Sequence, residues 1–291
     1  MMGKIMRFIK RGINYMIHGQ PVVHVNPNIS VVSRNDLLKG RTALITGGTS
    51  GIGKAIASAF LNAGANVIIT SRTKEKAESI ASEIGSNYPN QLSLGVELNN
   101  DNVDSFKNTF DNILCYIGNN KIDILVNNAG VRGGRWGTSS ISEYDQVMDT
   151  NLKGAFFLSE IVAKYMTGND IHGNILNICS ASSLRPANSA YCLSKWGLRA
   201  LTEGMAKTLI PYDIVVNGIA PGPTATPMFG FESSNNIEAS SQPNKRFTTV
   251  EEIANMAVIY VSDMGRTIVG DIAYMTGGAA LLTYDDNSYK F

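Results

Sequence analysis

The chain has 291 residues, 44% of them hydrophobic and 17% charged, with 28 glycines, a balance that suits a globular domain around one large core. Twenty-five basic against 24 acidic side chains leave a net charge of +1, which excludes the broad positive field that holds nucleic acid. Three cysteines, Cys115, Cys179 and Cys192, are too few and too irregularly spaced for a disulfide framework or a zinc site, so a reducing cytoplasm is the expected setting.

Residues 1–39 read as an N-terminal extension. Within it Ile5, Ile9, Ile13 and Ile17 recur every fourth position among Lys4, Arg7, Lys10 and Arg11, the pattern of an amphipathic helix over 1–17. Such a segment suits a membrane surface, a partner, or packing on its own domain or a neighbouring subunit. No run of apolar residues is long enough to span a bilayer.

From residue 40 to about 282 strand and helix patterns alternate as one domain. Strands are expected at Thr42–Ile45, Asn66–Thr70, Leu92–Val96, Ile122–Asn127, Asn174–Cys179, Ile214–Ile219 and Ile272–Met275. Helices are expected at Lys54–Ala63, Lys74–Ile84, Asn102–Tyr116, Ser142–Tyr165, Ala190–Leu209 and Val250–Ser262. Short apolar strands separated by helices imply an α/β fold with a doubly wound, mostly parallel seven-stranded sheet, Rossmann-like, covered by helices on both faces. Ligands of such sheets bind beyond the carboxyl ends of the strands. The stretch from Pro221 to Phe247, rich in Pro, Gly, Ser and Asn, is too long for an ordinary connection and reads as a substrate loop; residues 283–291 form a tail.

Between the first strand and its helix lies Thr46-Gly47-Gly48-Thr49-Ser50-Gly51-Ile52-Gly53. Glycines there let the backbone approach a pyrophosphate while the helix N-terminus offers free N–H groups, although a purely structural turn has the same look. At the end of the second strand stand Ser71 and Arg72, and no carboxylate. A guanidinium there can hold a 2′-phosphate, which favours NADP(H) over NAD(H); the alternative is a charge that merely solvates a turn.

The spacing Thr-Gly-x3-Gly-x-Gly, followed in order by Asn127-Asn128-Ala129-Gly130, Asn151, Ser180, Tyr191-x3-Lys195 and Pro221-Gly222 with Thr226, resembles the short-chain dehydrogenase/reductase family over about residues 40–280. The resemblance implies an oxidoreductase that interconverts a ketone and a secondary alcohol, with Asn151, Ser180, Tyr191 and Lys195 as its catalytic set. It further implies that Gly47, Thr49, Ser50, Gly51, Ile52 and Gly53 cradle the cofactor. Glu97-Leu98 would stand beside the adenine, Asn127, Ala129 and Gly130 along the ribose, and Pro221, Gly222, Thr224 and Thr226 beside the nicotinamide.

Tyr191 and Lys195, one helical turn apart, share a face, and the ammonium favours the phenolate through which a proton is exchanged. By the resemblance Lys195 also contacts the cofactor ribose, and Asn151 holds a water in a proton relay. Ser180 would polarise the substrate oxygen, with Ser182 and Ser183 as close competitors. Asn151 also suits a capping role. Arg132 to Trp136, Ser182 to Asn188 and Met228 to Phe231 are the expected substrate-facing segments, and Ile219 is placed near the carboxamide. Cys179 and Cys192 are read as buried apolar fillers. His18, His24 and His172 show no ligand spacing, so no metal is expected. The partners implied are a small carbonyl or alcohol substrate and further copies of the chain, as dimer or tetramer. A non-catalytic, cofactor-binding scaffold that uses its basic N-terminus is the competing function.

Overall fold

The computed structural model describes residues 36–229, 237, 239 and 242–280, all within one compact unit, Ser33–Phe291. The segment read as amphipathic at 1–17 and the tail at 283–291 lie outside the described residues, as does much of the substrate loop. The described domain reaches back beyond residue 40: Leu38 is fully buried and its N–H donates to the Ala63 carbonyl at 2.8 Å.

Seven strands form one wholly parallel sheet: β1 (Thr42–Ile45), β2 (Asn66–Ser71), β3 (Ser93–Glu97), β4 (Ile124–Asn127), β5 (Asn174–Ile178), β6 (Val215–Pro221) and β7 (Ile272–Met275). Their spatial order is β3-β2-β1-β4-β5-β6-β7, so the direction of winding reverses between β1 and β4. The helices are α1 (Gly51–Asn62), α2 (Lys74–Gly85), α3 (Phe106–Ile117), α4 (Ile141–Met148), α5 (Gly154–Gly168), α6 (Ala190–Leu209) and α7 (Val250–Val261).

Successive side chains of a strand point to opposite faces, and this chain fills both faces with apolar residues. Ala43, Ile45, Val67, Ile69, Ile124 and Val126 pack with α1, α2 and α7 on one side, around Phe60, Ile84 and Ile253. Leu44, Ile68, Leu125 and Ile175 pack on the other with α3, α5 and α6, around Phe106, Phe110, Leu158 and Leu209. The central strands β1, β4, β5 and β6 are buried throughout, as the continuous apolar runs predict.

The single helix expected over Ser142–Tyr165 is instead two helices joined by a widened π turn, Asp149–Lys153, closed by the Gly154 N–H on the Asp149 carbonyl. The apolar period passes through this turn with little change, which hides it from pattern reading. Wide turns of this kind mark functional positions, and this one carries Asn151.

At the start of α7, Thr249 and Glu252 form a capping box, and Glu252 also pairs with Arg246 at 2.6 Å. The Arg246 guanidinium and the Thr249 N–H hold the Glu252 carboxyl well below its ordinary 4.5, at about 2. A depressed carboxyl contributes stability that is complete above about pH 4.5 and vanishes as the pH falls through about 2. Glu252→Gln is therefore expected to cost about 1 kcal/mol at neutral pH, since the box is half lost and the ion pair is partly exposed. The gap in urea midpoint between variant and parent should narrow from pH 5 to pH 3; a gap independent of pH contradicts this account.

Candidate active site

A cleft of about 790 Å³ opens at the carboxyl ends of the strands where the winding reverses. The glycine turn forms its floor. Gly47 (φ +62) and Gly51 (φ +52) adopt the left-handed backbone, and a Cβ at Gly47 would stand 3.0 Å from the Ala129 Cα. The turn is clamped from β4: Thr46 Oγ1 accepts from the N–H groups of Asn128 and Ala129, both at 3.0 Å. In return the Asn128 amide donates to the carbonyls of Thr46 and Gly47. Ser50 makes no side-chain cap to α1, and no acid occupies the helix's first turn, which leaves its N–H groups and positive dipole end facing the cleft.

Gly47, Thr49, Ser50, Gly51, Ile52, Ser71, Arg72, Leu98, Ala129, Gly130, Pro221, Gly222, Thr224 and Thr226 all line this cleft. Three residues expected there do not. Gly53 lies against the sheet, where a Cβ would meet Asn128 Nδ2 and the Gly47 carbonyl at 2.4 Å; it serves helix packing. Glu97 is exposed away from the cleft, and Leu98, Asn99, Asn100 and Asp101 line it instead. Asn127 is buried beneath, donating to Ser159 Oγ and Asn177 Oδ1 at 2.8 Å each, while its neighbour Asn128 takes the lining position. Glu97 and Asn127 fail for one reason: a shift of one residue along a strand reverses the face.

At the β2 end, Arg72 and Lys76 line the cleft, and neither is paired with a carboxylate among the described residues. At the other end stand Ser180, Tyr191 and Lys195. The α6 helix begins at Ala190, capped by Ser189 Oγ on the Cys192 N–H, so Tyr191 sits in its first turn and Lys195 one turn on. Lys195 is buried; its ammonium donates to the Ile178 carbonyl at 2.7 Å and lies 5.9 Å from the Tyr191 ring centre. Ser180 stands two residues beyond the end of β5 and accepts from the Ser182 N–H at 3.1 Å. Ser182 also lines the cleft, whereas Ser183 is fully buried and donates to the Ser180 carbonyl.

Asn151 does not reach the cleft surface. Its Oδ1 accepts the Val131 N–H at 2.8 Å, and its two amide hydrogens go to the Val131 carbonyl and to Ser194 Oγ, at 2.9 and 3.1 Å. Ser194 in turn donates to the Tyr191 carbonyl at 2.8 Å. Both amide hydrogens are used, so the side chain clasps the Gly130–Val131 backbone to α6. A second buried chain, Asn127 to Asn177 to Thr202 Oγ1, ties β4 and β5 to the same helix.

Of the expected substrate-facing residues, Arg132, Gly133, Arg135, Ser182, Arg185, Asn188 and Met228 line the cleft. Trp136 does not, being 85% exposed on the rim, and Ile219 is buried inside β6. Phe231 lies outside the described residues. Cys179 is buried as expected, and burial pushes its thiol up to about 11. Cys192 departs from the filler reading: it is half-buried and lines the cleft beside Tyr191. Lys76, Asn99, Asn100, Asp101 and Asn128 were not singled out as site residues; for Asn128 the signal was present, one position along a motif already noted.

The family described as short chain dehydrogenase matches residues 41–236. The chain belongs to the short-chain dehydrogenase/reductase family. Among similar proteins, the 3-oxoacyl-(acyl-carrier-protein) reductase FabG of Aquifex aeolicus is 33% identical over 246 residues, covering 83% of this chain and 98% of the relative. Glucose 1-dehydrogenase 2 of Bacillus subtilis is 31% identical over 251 residues, covering 84% and 96%. A short-chain type dehydrogenase/reductase from Mycobacterium marinum superposes with a TM-score of 0.75 at 28% identity, over 84% of this chain and 98% of that one. The protein is thus an oxidoreductase of the type that acts on CH–OH and C=O groups with NAD(P).

Proposed function

We propose that this short-chain dehydrogenase/reductase is specific for NADP(H) and interconverts a ketone and a secondary alcohol, with Tyr191 exchanging the proton. One observation carries the reading: a single cleft has the glycine turn with Arg72 and Lys76, neither paired with a carboxylate among the described residues, at one end and Ser180, Tyr191 and Lys195 at the other. The residues present fit a phosphorylated dinucleotide. The uncapped N-terminus of α1 suits the pyrophosphate, Arg72 with Ser71 and Lys76 suits a 2′-phosphate, and the Gly130 backbone passes close to the Lys195 ammonium. When bound, the nicotinamide supplies or accepts hydride.

The chain's own groups then handle the oxygen. Tyr191 donates its proton to the developing alkoxide in reduction and withdraws it in oxidation. Lys195, held by the Ile178 carbonyl 5.9 Å from the Tyr191 ring centre, places its positive charge beside the reacting oxygen. Ser180 donates a hydrogen bond to the same oxygen, and Asn151 acts as a positioning residue through Val131 and Ser194. Consumption of NADPH against a panel of ketones tests the reading; oxidation of NADPH by none of them, with no alcohol reducing NADP, would overturn it.

The serine assignment has its own consequence. Ser180→Ala is expected to lower kcat about 100-fold, by removal of one oxyanion donor. Ser182→Ala should change kcat by less than about threefold, because its hydroxyl lies outside the Ser180–Tyr191–Lys195 set. A large loss from Ser182→Ala with kcat retained in Ser180→Ala reverses the assignment.

We also infer a homo-oligomer of cytoplasmic location. Ile141, Tyr144, Phe156, Phe157, Leu193 and Trp196 are exposed on α4, α5 and α6, a run of large apolar side chains that suits burial against another copy. The described cysteines are free, which suits a reducing compartment. Among the described residues no helix is long and apolar enough to cross a membrane.

A further inference from the structure

Charge is distributed very unevenly around the cleft. The whole chain carries 25 basic and 24 acidic side chains, yet among the described residues the lining holds Arg72, Lys76, Arg132, Arg135, Arg185 and Lys195 against Asp101. Arg72 and Lys76 stand at the β2 end, where the cofactor phosphate is placed, and Lys195 is tied to the Ile178 carbonyl. Arg135 and Arg185, toward the Tyr191 end, have no carboxylate partner among the described residues. Concave surfaces with walls of low dielectric focus the field of one charge sign onto whatever enters them.

Arg135 and Arg185 are held on a stapled rim rather than on loose loops. Arg135 forms an antiparallel bridge with Ser189, the Trp136 N–H donates to the Asn188 carbonyl at 3.0 Å, and the Ala190 N–H donates to the Gly134 carbonyl at 2.8 Å. The Arg185 carbonyl accepts from the Trp196 indole at 2.8 Å, which pins its segment to α6, the helix that carries Tyr191. Glu143 accepts from the Gly134 N–H at 2.9 Å and from Ser139 Oγ at 3.2 Å, which fixes the backbone beside Arg135. Neither the Arg135 nor the Arg185 guanidinium is paired with a carboxylate among the described residues.

We propose that the substrate of this cleft is an anion, a ketone or alcohol bearing a carboxylate or a phosphate ester, and that Arg135 and Arg185 hold that group while Tyr191 addresses the carbonyl. The inference rests on the oxidoreductase reading of the cleft and narrows its substrate class. Guanidinium forks match both anions, and a charge-assisted pair at the rim of a cleft gives about a tenfold or greater gain in affinity.

The test is a calorimetric titration of the NADPH-loaded protein with two matched pairs, dihydroxyacetone phosphate against dihydroxyacetone and 4-oxopentanoate against its methyl ester. Turnover of each compound is followed in parallel. The anionic member of at least one pair is expected to bind about tenfold tighter or better, and the pair that shows it names the anion. Arg135→Gln with Arg185→Gln should bring that preference within about threefold and leave the neutral member unchanged, whereas the double Arg→Lys variant should retain part of it. Equal binding within both pairs, or a preference that survives the glutamine variant, overturns the proposal. Anion-selective binding that depends on both arginines, together with no turnover of any ketone or alcohol, would leave the anion site standing and sink the oxidoreductase reading instead.

Discussion

Tyr191→Phe is expected to lower kcat by about 1,000-fold while NADPH binding and thermal stability stay at parental values. The ring remains in the first turn of α6, where Ser189 caps the helix and Ser194 holds the Tyr191 carbonyl, so the substitution removes only the hydroxyl. General acid and base groups contribute roughly 100- to 10,000-fold, and Tyr191 is the group assigned that part here. Lys195→Gln should lose activity to a similar extent but also raise KM for the cofactor, because Lys195 is buried beside the Gly130 backbone as well as near the phenol ring. The split between the two variants is the diagnostic result. Steady-state kinetics with fluorescence titration of NADPH reads it; equal turnover by Tyr191→Phe and the parent would exclude the Tyr191 hydroxyl from the proton transfer.

Arg72→Glu is expected to lower kcat/KM for NADPH by about 100-fold and to leave NADH within a fewfold of its parental value, so that the preference disappears or reverses. The loss combines a charge-assisted hydrogen bond to a phosphate, about 1.5–3 kcal/mol, with repulsion by the new carboxylate. Lys76→Glu should show the same direction with a smaller effect, since a lysine offers a point charge in place of a fork. Both cations line the cleft and neither is engaged by an acid among the described residues, so neither substitution breaks an ion pair there. A parental enzyme that prefers NADH would contradict the assignment before any variant is made.

Much of this site was legible in the chain because its chemistry depends on short, ordered signals. The glycine turn, the Tyr-x3-Lys pair and the serine at the end of a strand are each tied to an element whose apolar pattern is strong, and β1, β4, β5 and β6 are buried on both faces as that pattern requires. The readings that failed did so where one residue of register decides the outcome. Asn127 and Asn128 have the same side chain, and only the pleat of β4 sends the first into the Ser159–Asn177 network and the second into the cleft. At the end of β3, of the expected pair, Leu98 lines the cleft and Glu97 is exposed outside its lining, again by one step of the pleat.

Other features had no local signal. The π turn at Asp149–Lys153 is closed by one bond between Gly154 and Asp149 and leaves the apolar stripe nearly continuous, so the sequence reads as one helix. The role of Asn151 follows from partners 20 and 43 residues away, Val131 and Ser194, which no spacing rule brings together. Crowding of the cleft by arginines likewise arises from three separate loops, which only the fold brings to one cleft.

The account turns on where the reactive edge of the cofactor comes to rest. A crystal structure of the complex with NADPH is predicted to show the pyrophosphate at the N-terminus of α1, the 2′-phosphate within hydrogen-bond reach of Arg72, and the nicotinamide C4 facing the Tyr191 hydroxyl across a space that fits one carbonyl group. A nicotinamide ring lodged elsewhere, with the Tyr191 hydroxyl turned away from it, would contradict the account.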